Sequence, residues 1–283
     1  MDQLIASCER HDGIASIELE KSLNAYQDMP SFFLAYEGDL LAALVSIFSP
    51  MRVEAELGAL VLPSLRRRGI LRDLLPQAEA TMRGYGYKSE LFVVDSRSEA
   101  GRAAAVSLGA RLEHSEHACR YEPLRSGAEK SAVARSRGRE LEILRLGSEH
   151  IEALVALRMG AFGDSREEAE GFERATFASS NREEYGAFLA DGQSSSSRLV
   201  AAASLGYEGK LVSINGLVVA EEERGKGYGQ AFMGGLLEHL VARGLEPILD
   251  VDGSNERAFH VYQKLGFAVQ RTMEYYRRGL EKQ

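Results

Sequence analysis

The sequence predicts an α+β (α/β) fold built as two tandem copies of one domain. Each copy is expected to be a mixed, mostly antiparallel twisted sheet flanked by helices. Three observations predict it. The chain repeats itself at an offset of about 157 to 159 residues, the second copy alternates strand-like and helical runs, and a glycine-rich turn joins a strand to a helix.

The repeat is read from paired segments. Phe33-Leu34-Ala35 followed by Leu40-Leu41-Ala42-Ala43 echoes Phe188-Leu189-Ala190 followed by Leu199-Val200-Ala201-Ala202. Val61 to Arg66 echoes Val219 to Arg224, Gly69 falls at the place of Gly227, and Gly86 at that of Gly244. Asp95, Ser98 and Gly109 stand where the second copy has Asp252, Asn255 and Gly266. A period this long means two domains rather than a solenoid. Between them, Arg125 to Glu140 is small, polar and charged, with no apolar stripe, and reads as a linker. The domains are therefore placed at 1–124 and 140–283, with a linker over 125–139. Both are ordinary sizes for one core.

The second copy supplies its elements in order. A strand is expected at Leu141–Leu144, then a helix over Ile151–Ala161 burying Ile151, Leu154, Val155 and Met159. Strand-like runs follow at Tyr185–Ala190, Leu199–Tyr207 and Leu211–Val219, with Asp191 to Ser197 read as a hairpin loop. An amphipathic run Phe232–Val241, a strand Pro247–Val251, a helix after Asn255 and a last strand Ala268–Arg277 complete it.

Composition narrows the class. Of 283 residues, 45% are apolar and 27% charged, the profile of a globular protein. A net charge of −8 argues against a nucleic-acid partner, which normally demands a basic face. Cys8 and Cys119 fit no disulfide framework, redox motif or metal spacing, so no metal is expected. The N-terminus has no apolar signal-peptide core, and no stretch approaches the ~20 apolar residues that span a bilayer. These features predict a cytoplasmic protein without membrane contact, as a monomer or a homodimer.

The turn Arg224-Gly225-Lys226-Gly227-Tyr228-Gly229 carries the chemistry. Strand, glycine turn and helix together present backbone N–H groups at a helix N-terminus, where the dipole favours an anion. A nucleotide P-loop would place Ser or Thr after Lys226, and Gly227 stands there instead. A dinucleotide fingerprint needs G-x-G-x-x-G, whereas Gly225, Gly227 and Gly229 run G-x-G-x-G. The remaining pattern, Arg224-x-x-Gly227-x-Gly229, resembles the acyl-CoA pyrophosphate loop of the GNAT superfamily of N-acyltransferases. Asn255-Glu256-Arg257-Ala258, Tyr262 and Gly266-Phe267 resemble the second GNAT signature, Asn-x-x-Ala-x-x-x-Tyr-x-x-x-Gly-Phe, in the family's order.

That resemblance, which covers nearly all of the second copy and the first from about Ser31, implies the ligand and the roles. Acetyl-CoA would be cradled by Leu217, Val218, Val219, Arg224, Gly225, Lys226, Gly227, Tyr228, Gly229, Gln230 and Asn255. The backbone of Leu217–Val219 would meet the pantetheine arm, with one N–H facing the acyl oxygen. Tyr262 would be the general acid that protonates the leaving sulfur. The same residues also read more plainly: Leu217–Val219 as a buried strand, and Tyr262 as one member of the apolar stripe Ala258, Val261, Tyr262, Leu265. Glu221, Glu222 and Glu223 would repel an anion and are assigned to solvent.

No general base can be named from sequence. Ser213 and Asn215 precede the loop but are not bases near neutrality. Asp250 and Asp252 serve equally as caps for the next helix, with Ser254 or Asn255, and His260 lies opposite the apolar stripe.

The first copy keeps Arg66-Arg67-Arg68-Gly69, but Leu71, Ala105 and Ala110 stand where the second has Gly229, Tyr262 and Phe267. It is expected to bind CoA poorly and to have a structural or substrate-shaping role, as in other tandem GNAT enzymes.

Together these features imply an acetyl-CoA-dependent N-acetyltransferase acting on a small-molecule amine in a ternary complex, with the C-terminal copy active. Two alternatives stand beside it: a protein or peptide N-acetyltransferase, and a non-catalytic acyl-CoA-binding sensor. The acceptor is not readable. Acidic residues in Gly160–Asn181 and nearby (Asp164, Glu167, Glu168, Glu170, Glu173, Glu183) hint at a cation, but a solvated acidic helix face is the favoured reading.

Overall fold

The computed structural model describes residues 1–14, 17, 19, 21–22, 24–123, 141–163, 165–190 and 197–280. The expected linker, Asp164, and residues 191–196 of the hairpin loop lie outside them. Contacts divide the chain into two units. One comprises Met1–His117, Asp252–Ser254 and Arg271–Gln283; the other comprises Ala118–Val251 and Asn255–Gln270.

In the first unit, helix α1 (Asp2–Asp12) precedes strands β1 (Phe32–Glu37), β2 (Leu40–Phe48) and β3 (Glu56–Val61). Helix α2 (Ile70–Gly84), strand β4 (Ser89–Asp95), helix α3 (Glu99–Ser107) and the start of β5 (Arg111–Tyr121) follow. β1, β2 and β3 pair antiparallel, β3 and β4 parallel. On the far side of β4 lies Met273–Gly279, from the end of the chain's last strand, β11 (Phe267–Gly279), antiparallel to it. Residues Ala42 to Ile47 of β2 are all buried, which is why this strand reads as a continuous apolar run rather than an alternating one. Ala43, Val45, Leu57, Leu74, Leu75 and Met82 belong to the core between sheet and α2.

The second unit begins its sheet with β6 (Leu141–Arg145), β7 (Arg182–Ala190), β8 (Ser197–Glu208) and β9 (Leu211–Val219), all paired antiparallel. β10 (Glu246–Asp252) lies parallel to β9, and β5 follows β10 in the sheet order. Helices α4 (Ile151–Phe162) and α5 (Arg166–Ala178) connect β6 to β7. α6 (Tyr228–Ala242) connects β9 to β10, and α7 (Glu256–Leu265) precedes β11. Local signals set the helix ends. Ser165 and Glu168 form a reciprocal capping box at α5, and Gly266, at φ 100°, closes α7 in the left-handed conformation. Phe232, Met233, Leu236 and Leu240 of α6 belong to the larger core, while Leu154 and Leu157 of α4 pack with Phe188, Ala202 and Val218 in a second one.

Every expected strand and helix of the second copy is present, with ends extended by up to four residues. The buried face of α4 differs from the expected one. Leu154 and Val155 are buried as expected and Ile151 half-buried, but Met159 is 38% exposed and Arg158 only 5%.

Register shows how the copies correspond. Ala43 sits between Ala35 and Val61, and Ala201 between Ala187 and Val219. The equivalent of Ala35 in the sheet is therefore Ala187, not the Ala190 that sequence echo suggests. Each is followed at once by a register shift, at Ala35/Tyr36 and Ala187/Phe188.

Candidate active site

The site is made by two parallel strands that part. β9 and β10 pair only through Leu211, Val212 and Ser213. Beyond Ser213 the rest of β9 has no ladder partner on β10, although β9 runs on to Val219 and β10 to Asp252. Backbone groups of Leu217, Val218 and Val219 on that side are thus left for something other than a neighbouring strand. Leu217 and Val219 are half-buried, and Val218 packs into the core at 4% exposure.

β9 also carries a bulge. Ala202 pairs Val218 and Ser204 pairs Asn215, so Gly216 and Leu217 together face the one position, Ala203. Gly216 adopts φ 58°, a conformation that favours glycine. A Cβ there would also lie 3.0 Å from the guanidinium of Arg158.

After Val219 the chain makes a short turn, Glu221–Glu223, and then the glycine loop. Gly225 (φ 76°) and Gly227 (φ 87°) are both left-handed. Gly227 caps α6 with no side chain, which leaves the first-turn N–H groups of Tyr228, Gly229 and Gln230 directed at the loop. At Gly229 a Cβ would meet Val219 Cγ2 at 3.1 Å, so the backbone comes close only because no side chain intervenes. Tyr228 is buried and Gln230 half-buried.

The two expected phosphate cations take part in the loop's own bracing. Arg224 Nε donates to Val219 O at 3.2 Å and its terminal nitrogen to Gly160 O at 3.4 Å, while Lys226 Nζ donates to Glu223 Oε2 at 3.0 Å. Glu223 corrects the sequence reading. Glu221 and Glu222 are exposed, but Glu223 is 5% exposed and held by Lys226 and Arg198. Those hydrogen bonds, Lys226's foremost, keep its carboxyl below the usual carboxylate range. A run of three glutamates before an anion loop is tolerated because the buried one is neutralised on the spot.

Tyr262 is 9% exposed, packs edge-on against Phe267 with ring centroids 5.9 Å apart, and is part of the core around α6. Burial, with the nearby Cys119 second, raises its pKa, so the phenol keeps its proton at neutral pH. Asn255 Oδ1 accepts from Ala258 N at 3.1 Å and starts α7, which fixes where Tyr262 falls about two turns later. Asp252 Oδ1 accepts from Ser254 N at 2.7 Å, a local turn, and both Asp250 and His260 are exposed.

Sequence reasoning missed a buried charged group beside the bulge. Arg158 and Glu173 form an ion pair, and Arg158 lies 4.0 Å from Glu184. Their exposures are 5%, 0% and 1%. Glu173 therefore departs from the solvated acidic face expected for α5, while Glu167 and Glu168 remain exposed. Helical spacing alone could have found it: Ala169, Glu173 and Thr176, four and three apart, share the buried side of α5. Among the described residues no three of His, Cys, Asp and Glu gather as metal ligands, and no helix is long and apolar enough to cross a membrane.

The first unit has the same parting. β3 and β4 pair only at Glu56–Leu57 with Leu91–Phe92, and a cavity of about 570 Å³ opens there, lined by Val61, Leu71, Phe92, Val94 and Ala105 among others.

Residues 151–267 match the family model described as Acetyltransferase (GNAT) family. No curated protein matches the sequence. A GCN5-related N-acetyltransferase from Sphaerobacter thermophilus superposes with TM-score 0.75 at 16% identity, over 99% of this chain and 91% of its own. A tandem GNAT protein of the clavulanic acid biosynthesis pathway gives TM-score 0.66 at 18% identity, over 88% and 82%. An acetyltransferase of the GNAT family from Colwellia psychrerythraea gives 0.60 at 13%, over 98% and 97%. Identities this low speak for the fold alone, which is of the GNAT type, and the match to the GNAT acetyltransferase family is confined to residues 151–267.

Proposed function

We propose that this protein is an acetyl-CoA-dependent N-acetyltransferase. Its domain over 140–283 transfers the acetyl group to the amine of a small molecule, by direct attack in a ternary complex. The observation that carries the reading is the parting of β9 from β10 after Ser213, with a bulge on one side and an uncapped, glycine-led helix N-terminus at its end. A long ligand with an anionic middle and an extended, amide-bearing arm fits that shape. Bound acetyl-CoA supplies the activated thioester.

The chain's own residues do the rest. Backbone N–H groups from Gly227 to Gln230 hold the pyrophosphate, and Arg224, Gly225 and Lys226 shape the loop that presents them. The freed backbone of Leu217, Val218 and Val219 pairs with the arm and aims one N–H at the acyl oxygen, a contact worth on the order of 3 kcal/mol when a donor is lost. Tyr262, an ordinary phenol whose hold on its proton burial strengthens further, gives that proton to the departing sulfur, and Asn255 holds the helix that positions it. The domain over 1–124, with Ala105 in place of a tyrosine, has a structural or substrate-shaping role.

Calorimetry with acetyl-CoA and release of free thiol over a panel of primary amines test the reading. One acetyl-CoA site per chain and thiol release with a small amine are expected. Binding without release on any amine would replace the enzyme by a sensor, and release on peptide N-termini alone would make it a protein acetyltransferase.

A further inference from the structure

The strand parting in the first unit opens onto hydrocarbon. Leu57, Leu65, Leu75, Phe92, Val94 and Leu108 line the cavity of about 570 Å³, drawn from β3, β4, α2 and the adjoining turns. Exchanges between the two copies account for its character. In the second unit the rings of Tyr262 and Phe267 pack against each other; the first unit has Ala105 and Ala110 at those places, and Leu71 at that of Gly229. Ala105 and Leu71 both line the cavity. A methyl group thus stands on its wall where the other copy has a phenol, and an isobutyl group where the other has bare backbone. Water in such a space finds few hydrogen-bond partners, and the lining forgoes contacts that a packed core would give it. Its size and lining suit an apolar body.

The polar groups around the cavity have a definite sign. Asp12 and Asp95 line it, but each carboxylate is already taken. Asp12 accepts from both terminal nitrogens of Arg66, at 2.8 and 2.6 Å, and Asp95 accepts from Arg97 Nε at 2.9 Å and a terminal nitrogen at 2.7 Å. Arg67 and Arg72 line it as well, and neither is answered in this way. Arg67 has no hydrogen bond or ion pair among the described residues, and Arg72 reaches only Asp73, at 4.0 Å, with both side chains exposed. The acids are neutralised and two guanidinium groups are left over, on a chain whose net charge is −8.

We propose that the first unit binds an amphiphilic anion, a medium-length hydrocarbon chain with a carboxylate head. The chain lies against Leu57, Phe92, Leu108 and the methyl of Ala105. The carboxylate meets Arg67 and Arg72, whose forked donors match its two oxygens. Residues of the first unit alone line the site, and its occupation needs no acetyl transfer, so it stands whether or not the second unit is an enzyme.

Calorimetry on the full-length protein tests this with decanoate, butyrate, decyltrimethylammonium and acetyl-CoA, each below the concentration at which micelles form. One decanoate per chain is expected. Butyrate, with a much shorter chain, should bind at least about 100-fold more weakly. Decyltrimethylammonium, with the same chain and the opposite head, should bind at least about 10-fold more weakly. Ala105→Phe, which fills the cavity, should abolish decanoate binding and leave that of acetyl-CoA unchanged. Arg67→Ala combined with Arg72→Ala should lower decanoate affinity about 10-fold. Both arginines are exposed, so this double variant keeps the test decisive if Ala105→Phe fails to fold. Absence of decanoate binding overturns the proposal, as does equal affinity for the two heads or an affinity that the arginine substitutions leave unchanged. Displacement of decanoate by acetyl-CoA also overturns it, since the cavity would then be a second coenzyme site.

Discussion

Strand β9 of the second unit and strand β3 of the first do the same work in their sheets, yet β9 is one residue longer over the same span. Ser46 pairs Gly58 and Ala43 pairs Val61 in unbroken register; Ser204 pairs Asn215 and Ala201 pairs Val219 with an extra residue between. Much else is shared. Arg66 Nε donates to Val61 O at 3.1 Å as Arg224 Nε does to Val219 O at 3.2 Å, and Gly69 and Gly227 have φ 85° and 87°. The arginine clamp and the glycine cap therefore belong to the fold, since the copy lacking the tyrosine keeps both. What distinguishes the second copy is the bulge, Tyr262 and the buried acid. Phe32 pairs with Ser46 as Glu184 pairs with Ser204, so the first copy has a ring where the second has a carboxylate.

Deleting Gly216 is the sharpest way to break this difference, because it gives β9 the register of β3. On the proposed reading, the deletion realigns the N–H groups of Leu217 and Val218 with β8 and withdraws them from where the acyl oxygen would sit. Thiol release should fall about 1000-fold, the upper range for losing an oxyanion donor. Far-UV circular dichroism should be retained, since β3 shows that the unbulged strand packs well. Activity that survives the deletion would detach the bulge from catalysis.

Replacing Glu184 by Gln brings the second copy toward the uncharged first, and its effect on stability has a definite sign. The folded-state pKa of about 7 lies above the ordinary 4.5, so the folded protein favours the protonated carboxyl. The stability linked to that proton is fully present below about pH 4.5 and is lost as pH rises through 7. Gln carries no such dependence. The variant should therefore gain on wild type as pH rises, by about 3 kcal/mol between pH 5 and pH 9. Thermal melts at the two pH values measure it, and a difference that does not grow with pH would show an ordinary ion pair.

Tyr262→Phe makes the second copy resemble the first in chemistry while leaving the packing almost untouched. The ring against Phe267 stays, and only the hydroxyl is lost. A drop in kcat of about 100-fold with unchanged acetyl-CoA affinity is expected, in the range of general-acid contributions. Equal kcat in both proteins would return Tyr262 to the core, the plainer of its two sequence readings.

What the sequence showed and what it hid divide along a physical line. The glycine loop, the cap Asn255 and the element order were legible because each is local, a matter of φ preference, capping or periodicity over a few residues. The bulge was not, because one glycine in an apolar run reads only as a weakened strand; its trace was the repeat offset, 157 residues from Gly58 to Asn215 and 158 from Val61 to Val219. Arg158, Glu173 and Glu184 were hidden because three separate elements bring them together, and charged residues on helices are ordinarily solvated. Glu223 was misplaced for the same reason. The first copy's β1 was aligned by its letters, Phe-Leu-Ala, whereas the register shift after Ala35 and Ala187 fixes the true correspondence.

The smallest expected effect concerns the loop itself. Where the second copy has Gly225 at φ 76°, the first has Arg67 at φ 62°, the one non-glycine residue with positive φ among those described. A left-handed conformation costs an L-residue about 1–2 kcal/mol, while glycine adds roughly 0.5–1 kcal/mol of unfolded-state entropy. Arg67→Gly should thus stabilise the first unit by about 0.7 kcal/mol, and Gly225→Ala should destabilise the second by a similar amount. A Cβ at Gly225 meets nothing closer than Arg257 at 3.7 Å, so conformation alone sets that cost. Hydrogen exchange of the first-turn amides of α2 and α6 reads both changes locally. If the two substitutions proved equally neutral, the left-handed position would carry no weight in either loop. The arginine of the first copy would then be a free choice, not a strain retained after the need for close backbone approach was gone.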